Sequence, residues 1–457
     1  MDTKKLRQKI LNLAIHGKLV PQDPNDEPAS VLLERIRKEK EQLIKEGKIK
    51  APKKSKSAGD TSHYPKEVPF EVPKGWVKCK LSDVCQFESG FAFKSESYKK
   101  KGVPLIRISN IQEGTITTDG GVCIQEVVES RFHIVKGDLL IALSGATTGK
   151  MGIYDKDDDA LLNQRVGNLR IISKTCFLPE YRNLFMESQT ATILEQAWGG
   201  AQPNISPNTI IGFDILLPPY AEQCRIVSKA NELLAIVSHI ESAQDQIETT
   251  ADGIKTKILD LAIRGKLVPQ DDSEESAINL LRRINPAFQP SDNLHYGSVL
   301  PIGWELCRLE DILEYEQPQA YIVKSTDYSD QYVTPVLTPG RSFVLGYTNE
   351  SEGVYNALPV IIFDDFTTES KYVDFPFKVK SSAMKILRAK GEIDIRYIAF
   401  FMSITRLAGN THKRYWISEY SKLPIPLPPI EEQHRIVRKI EELGKNLSDI
   451  GDFLQKD

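Results

Sequence analysis

No Cys-x-x-Cys pair occurs among the six cysteines of this 457-residue chain, Cys79, Cys85, Cys123, Cys176, Cys224 and Cys307. A zinc site needs clustered ligands at set spacing, so scattered reduced thiols are expected instead. Long apolar runs are missing too. Stretches such as Pro359-Val360-Ile361-Ile362-Phe363 and Ile398-Ala399-Phe400-Phe401-Met402 fall far short of the ~18–20 residues that cross a bilayer. The first residues, Met1-Asp2-Thr3-Lys4-Lys5-Leu6-Arg7, lack the apolar core of a signal peptide, so a cytoplasmic location is expected. Nor is there a basic excess: 59 Lys and Arg stand against 62 Asp and Glu, a net charge of −3. That balance speaks weakly against a surface coated with DNA-binding charge.

Catalytic signatures are equally scarce. No Gly-x-Ser-x-Gly, His-Glu-x-x-His or Gly-x-x-x-x-Gly-Lys-Ser/Thr is present. Leu217-Pro218-Pro219-Tyr220 looks like the Asn-Pro-Pro-Tyr loop of amino-methyltransferases. Here Leu replaces the Asn that would accept a hydrogen bond from the target amine, and no Gly-rich cofactor loop precedes it. Asp364-Asp365-Phe366-Thr367-Thr368-Glu369 offers carboxylates and Lys371 follows, but the acids are too close in sequence for two strand ends to present them around one metal. An acidic turn is the simpler reading.

What is present is a tandem repeat. Length alone allows two to four domains of ~100–200 residues, and 40% hydrophobic with 26% charged residues is ordinary globular composition. The segment from Lys9 to Asp23, KILNLAIHGKLVPQD, recurs from Lys257 to Asp271 as KILDLAIRGKLVPQD, identical at 13 of 15 positions. Leu217 to Val227 recurs as Leu427 to Val437, identical at 8 of 11. A weaker pair sets Val72-Pro73-Lys74-Gly75-Trp76 against Leu300-Pro301-Ile302-Gly303-Trp304. By these shifts Asp457 corresponds to Ile247 and Met1 to Thr249, so the two termini together rebuild the block in the middle of the chain. His434 aligns with Cys224 and His16 with Arg264, so the shared scaffold requires neither imidazole.

The central block carries an apolar residue at every seventh position, Ile226, Leu233, Ile240, Ile247, Ile254 and Leu261. The C-terminal copy repeats the stripe through Ile436, Leu443 and Ile450, and the N-terminal copy through Leu6, Ile10 and Leu13. Sustained heptads indicate a coiled coil. Pro218-Pro219 and Pro428-Pro429 fit helix starts, and Gly17 and Gly265 fit left-handed helix ends. One long helix pairing antiparallel with a helix split between the two termini is therefore expected, unless Gly253 kinks it.

The expected organisation is a helical segment at 1–50, an α/β domain at 64–217, a central helix block at 218–285, a second α/β domain at 296–427 and a terminal helix at 428–457. Residues 37 to 56 hold nine Lys or Arg and three Glu, read as a frayed, solvated helix running into a connector, and residues 272 to 300 read as a second connector. Strands are expected at Val103 to Ile108, Asp138 to Leu143, Val166 to Ile172, Leu358 to Phe363 and Ala383 to Leu387. Helices are expected at Pro179 to Trp198 and Asp394 to Ala408.

The first α/β block places polar and basic residues in its turns: Lys94, Arg107, Asn110, Ser144, Thr147, Lys150, Asn163, Gln164, Arg165, Gln202 and Asn204. Arg and Lys suit guanine, Asn and Gln suit adenine, and Ser and Thr suit phosphates, so together they lean towards DNA binding. The second block offers a different set: Tyr321, Lys324, Arg341, Lys371, Lys380 and Arg414.

The duplicated layout, the Pro-Pro-x-x-Glu-Gln-x-x-Ile-Val starts at Pro218 and Pro428, Gly-x-x-Phe-x-Ser at Gly90, Gly-Asp-Leu-Leu-Ile-Ala-x-Ser-Gly at Gly137, Leu-Asn-Gln-Arg-Val at Leu162 and Asn-Ile-Ser at Asn204 resemble the DNA-specificity subunit of Type I restriction-modification systems. That resemblance implies two target-recognition domains, each reading half of a bipartite DNA sequence, on a pseudo-two-fold helical spacer. It implies a non-catalytic chain docked by two methyltransferase subunits, with restriction subunits joining through them. S-adenosylmethionine and ATP would sit on those partners. The second block lacks the Ser-Gly-x-Thr-x-Gly-Lys loop, which implies an asymmetric target. Neither block is basic overall, so weak, salt-sensitive binding by the isolated chain is expected. A structural adaptor that spaces two protein-binding domains is the competing class.

Overall fold

The computed structural model describes residues 1–49, 72–112, 114–125, 128–197, 203–290, 299–338, 342–407 and 414–455, with side chains to residue 449. The chain divides into two compact units, residues 2–243 and residues 244–457 with Met1. The division falls inside one helix, Tyr220–Ile263, whose 44 residues extend roughly 66 Å at 1.5 Å per residue. Helix assignment continues through Gly253. Gly265, at φ 63°, stops it, and Lys266 N–H closes the end on Leu261 O at 2.8 Å. Thr3–Ile15 stops in the same way at Gly17, with Lys18 N–H on Leu13 O at 2.9 Å.

In the first unit Thr3–Ile15 lies antiparallel to the opening part of the long helix. Arg7 donates to Ser238 Oγ at 3.2 Å and Glu241 Oε2 at 3.3 Å, while Arg225 near the helix start meets Asp26 at 2.6 Å. Leu11, Ala14 and Ile15 share a core with Ile226, Val227 and Ala230. In the second unit Ile430–Gln455 supplies Ile436, Val437 and Ile440 to a core that includes Ala262.

The heptad stripe is not buried along its length. Ile226 is covered and Leu233, Ile240 and Leu261 are half-buried, but Ile247 is 38% and Ile254 43% exposed. Thr3–Ile15, about 20 Å long, packs on the opening part of the long helix and Ile430–Gln455 on its closing part, with Ile247 and Ile254 left exposed. In the terminal copies Ile10 and Ile436 are buried and Leu6, Leu13 and Leu443 half-buried; Ile450 lies outside the described side chains.

The N-terminal helical segment contains a second helix, and the second connector holds more structure than expected. Ala29–Lys45 is a helix that buries Ala29, Leu32, Leu33 and Ile36. Ala277–Ile284, inside the expected second connector, buries Ala277, Leu280 and Leu281 at the corresponding positions.

Each unit has a mixed α/β domain. The first holds a six-stranded sheet in the order Cys85–Ser89, Val166–Ile171, Leu139–Ala142, Met151–Ile153, Gly114–Ile116, Ile111–Gln112, and a four-stranded sheet built around Val103–Ile106 and Ala160–Leu162. The second holds Leu313–Glu316, Met384–Ala389, Val360–Asp364, Ser370–Val373, and a three-stranded sheet Val344–Thr348, Thr334–Leu337, Lys378–Val379. The expected strands are present with shifted ends: those at Val103, Asp138 and Val166 are shorter, Leu358 to Phe363 becomes Val360–Asp364, and Ala383 to Leu387 becomes the longer Met384–Ala389. The first ends at Ile106 because Asn110 Oδ1 accepts from Arg107 N–H at 3.0 Å and folds the chain into a 3-10 turn. The expected Pro179 to Trp198 helix is two, Pro179–Ser188 and Thr190–Ala197, divided where Ser188 and Thr190 hydroxyls donate back to Phe185 O and Glu187 O.

The same joint ties helix to domain in both units. Strand Val77–Lys80 pairs with Asp214–Leu217, and Glu305–Arg308 with Pro424–Leu427, so each domain's entry and exit run side by side. Trp76 Nε1–H donates to Glu222 Oε2 at 2.9 Å; Trp304 Nε1–H donates to Glu432 Oε2 at 2.8 Å. The Gln223 amide donates to Pro218 O and accepts from Leu178 N–H; Gln433 donates to Pro428 O and accepts from Asp394 N–H. The two prolines therefore start the helix, the Glu anchors the indole, and the Gln ties down a neighbouring loop. Burial pushes the Glu222 and Glu432 carboxyls up, against the pull of the indoles and of Arg225 and Arg435.

A carboxyl with a raised folded-state pKa contributes stability fully below its unfolded pKa and loses it as pH rises through the folded pKa. Changing Glu222 and Glu432 to Gln is expected to remove that part of the pH dependence. Trp304→Phe takes away the indole donor and is expected to cost about 1–3 kcal/mol. Urea unfolding followed from about pH 4 to 8 checks both.

Candidate nucleic-acid interface

Five turns far apart in sequence converge at one edge of the first domain. Ser144 bridges Asn204, and Leu143 N–H donates to Arg165 O at 2.9 Å. Asn163 N–H donates to Ile106 O, beside Arg107, and Asn163 also bridges Phe91. Phe91 N–H donates to Leu162 O at 2.8 Å and its carbonyl accepts from Gln164 N–H at 3.0 Å. A Cβ on Gly90 would lie 2.2 Å from Asn163 O, so only glycine allows this approach.

Within the cluster Lys94, Lys150, Gln164, Arg165 and Asn204 are exposed and Ser144 is half-buried. Arg107 and Thr147 are half-buried, and Arg107 Nε and Thr147 Oγ1 have no hydrogen-bond partner. Buried polar atoms are normally satisfied, and these two lie within the turn cluster. Two candidates are turned inward instead. Asn110 is buried, accepting from Arg107 N–H and donating to Thr117 O at 2.9 Å, and Asn163 is buried with Oδ1 3.4 Å from Arg165 N. Their amides hold the turns that carry the exposed residues. Gln202 lies outside the described residues.

At the other end of strand Leu139–Ala142 from the Ser144 turn, Asp138 of the Gly137 motif is a buried anchor. It accepts from Val135 N–H at 3.0 Å, Asn168 Nδ2 at 2.6 Å and the Arg170 guanidinium at 2.6 Å. Asp138 therefore braces the start of strand Leu139–Ala142, which leads into the Ser144–Lys150 loop.

The second domain repeats part of this topology, with fewer strands and other side chains. Val323 N–H donates to Val379 O at 2.9 Å, and Lys380 N–H to Leu337 O, the counterparts of Phe91 on Leu162 and Asn163 on Ile106. Lys324 and Lys380 are exposed; Lys380 Nζ lies 3.3 Å from the Tyr328 hydroxyl. Exposed Lys371 stands 4.7 Å over the Phe343 ring, and Phe343 O accepts from Thr338 N–H next to Leu337, which links Lys371 to the same surface. Tyr321 is half-buried, and its hydroxyl donates to Glu316 Oε1 at 2.7 Å; that bond and burial push its pKa up to about 12. Arg414 is exposed beside the turn after Val360–Asp364, where Tyr415 N–H donates to Asp365 O. Arg341 lies outside the described residues.

That turn replaces the Ser144–Lys150 loop of the first domain, because both join the third and fourth strands of the sheet order. Its acids are occupied. Asp364 accepts from Phe366 N–H and Thr367 Oγ1, and Asp365 accepts from Trp416 N–H at 2.8 Å with Lys385 Nζ at 3.4 Å. Among the described residues no group of three or more His, Cys, Asp or Glu could hold a metal ion, and no helix is long and apolar enough to cross a membrane. All six cysteines are free, and burial pushes Cys79 and Cys85 up to about 12.

Comparison with known proteins agrees with this architecture. The family model for the Type I restriction modification DNA specificity domain matches residues 73–249 and 301–451, and the chain belongs to that family, whose members supply DNA sequence recognition as specificity subunits. It is 26% identical to the EcoAI specificity subunit of Escherichia coli over 96% of this chain and 88% of that protein. It is 48% identical to the EcoR124I/EcoR124II specificity subunit of Escherichia coli over 31% of this chain and 37% of that protein. A solved structure described as the structural basis of complex assembly and conformational transition of the type I R-M system matches with TM-score 0.57 at 18% identity, covering 85% of this chain and 95% of that one; it speaks for the fold.

The inward and outward groups separate in experiment. Asn110→Ala is expected to lose about 1–2 kcal/mol in urea unfolding, whereas Lys150→Ala stays within about 0.5 kcal/mol of the parent. Lys150→Ala should instead lower DNA affinity and reduce the salt slope of binding by about 1, read by fluorescence anisotropy across salt concentrations.

Proposed function

We propose that each α/β domain reads one half of a bipartite, asymmetric DNA sequence. The observation that carries this is the convergence of five separate turns on one surface with Lys94, Arg107, Lys150 and Arg165, repeated in the second domain with different residues. Unequal surfaces read unequal half-sites. Exposed amides and cations suit base edges and phosphates, and the two unpartnered atoms at Arg107 and Thr147 suit bonds made only on DNA.

The helices act as the spacer and as the dock for two methyltransferase subunits, through which restriction subunits join. The chain itself is the non-catalytic reader; S-adenosylmethionine and ATP belong to the partners. Near-neutral charge supports this division, since the partners then supply part of the phosphate affinity. Ile247 and Ile254, apolar and exposed on the long helix, are the side chains a partner would cover. Ile436 is a poorer probe of docking because it is buried in its own unit.

Replacing residues 64–217 with the same block of a relative should change one half of the methylated sequence and leave the other. Mapping methylated adenines in a host that carries the partner subunits reads this directly. An adaptor would leave the methylated sequence as it was. Ile247→Asp with Ile254→Asp should leave the unfolding midpoint nearly unchanged and weaken assembly with methyltransferase subunits at least tenfold, measured by analytical ultracentrifugation.

A further inference from the structure

Phe91 is the one large apolar side chain exposed in the first domain's turn cluster among the described residues, at 43%. It is held rigidly. Backbone bonds fix it on both sides, Phe91 N–H to Leu162 O and Gln164 N–H to Phe91 O. Its ring meets Phe93 edge-on at 5.0 Å and Phe132 at 5.4 Å between centroids. The part of the ring left in water gains nothing from burial, and its backbone is already satisfied, so the exposed part does nothing for the fold. It stands in the same turn cluster as Arg107 and Thr147, whose buried Nε and Oγ1 lack partners.

Two uses of such a ring on DNA differ in geometry. A wedge that opens a base step must project freely, as an inserted side chain does in minor-groove binders. Phe91 is backed by two other rings and presents only part of its surface, so it cannot enter a stack. A fixed apolar surface among Arg, Thr and Gln instead matches the major-groove edge of a T·A pair, where the thymine 5-methyl is the apolar feature. The second domain has no equivalent: the residue with the corresponding backbone bond is Val323, which is buried.

We propose that Phe91 is a specificity-determining residue that contacts a thymine 5-methyl group in the half-site read by the first domain. This rests on the DNA-reading function proposed above and adds the base and the atom.

The test uses the full chain assembled with its methyltransferase subunits and duplexes carrying the mapped target. Each thymine of the first half-site is replaced in turn by uracil, which removes only the methyl. With the parent chain, one replacement should lower kcat/KM for methylation about fourfold, the factor for one methyl-sized group withdrawn from contact. Phe91→Ala should lose a similar factor on the thymine duplex and show no further loss at that same uracil position. Thymines of the second half-site should be indifferent to Phe91→Ala. The proposal is overturned if no uracil position affects the parent, or if the Phe91→Ala and uracil losses multiply at every position. Phe91→Leu, which keeps an apolar side chain, controls for folding: an unchanged unfolding midpoint with partial retention of thymine preference is expected, and uniform loss on both duplexes would also overturn it. Failure of the block exchange to alter the methylated sequence would instead remove the function on which the proposal rests.

Discussion

Two indole N–H groups meeting two buried carboxylates hold this chain together. A carboxylate taken from water needs a donor in a fixed place, and Trp76 and Trp304 supply it to Glu222 and Glu432 within the first turn of each Pro-Pro helix. The consequences spread outward from that bond. The indole fixes the entry strand, the entry strand pairs with the exit strand, and the exit strand leads into the prolines that begin the helix. Gly17 and Gly265 close the packing, since a Cβ there would lie 2.6 Å from Pro73 and 2.4 Å from Pro301. The helices and the domain they carry are thereby a single construction in each unit.

Bracing side chains and exposed side chains are different residues. In the first domain Asp138, Arg170, Asn110 and Asn163 brace turns and a strand start, and Lys94, Lys150, Gln164 and Arg165 are exposed. The second domain keeps the parallel strand pair under its turns and carries other side chains on it. Where one has a glycine-bearing loop ending in Lys150, the other has a turn stiffened by its own buried acids, with Thr368 at φ 58°. Electrostatic character at that position is therefore reversed in composition but neutralised locally, by Lys385 on Asp365 and Arg406 beside Glu369.

Much of the frame was legible because it occurs twice. Shared residues located both helix starts and both glycine stops, which fall at Tyr220, Ile430, Gly17 and Gly265, while β-rich runs in the unshared blocks pointed to the α/β class. What stayed hidden was tertiary. The heptad stripe gave no sign that Ile247 and Ile254 would be uncovered, because periodicity does not state the length of a partner. Ala277–Ile284 looked like connector beside Asn285-Pro286, although its spacing of Ala, Leu, Leu and Ile repeats that of Ala29–Ile36. Among the reading residues, type alone could not separate Asn110 and Asn163, which brace turns, from Gln164 and Arg165, which project. That distinction depends on which carbonyl lies within reach.

The repeated helix ends have a genetic side. The KILNLAIHGKLVPQD segment and its second copy are nearly identical, and each leads to a glycine stop packed on the next domain's proline and tryptophan. Recombination between the two copies would excise the first α/β domain and fuse Thr3–Ile15 to the segment beyond Gly265. The shortened product would still contain Trp304, Glu432 and both helices of the joint, and so would encode a one-domain chain with every contact that the joint requires. Gene shortening by this route would keep Trp304, Glu432 and a glycine stop together in one chain.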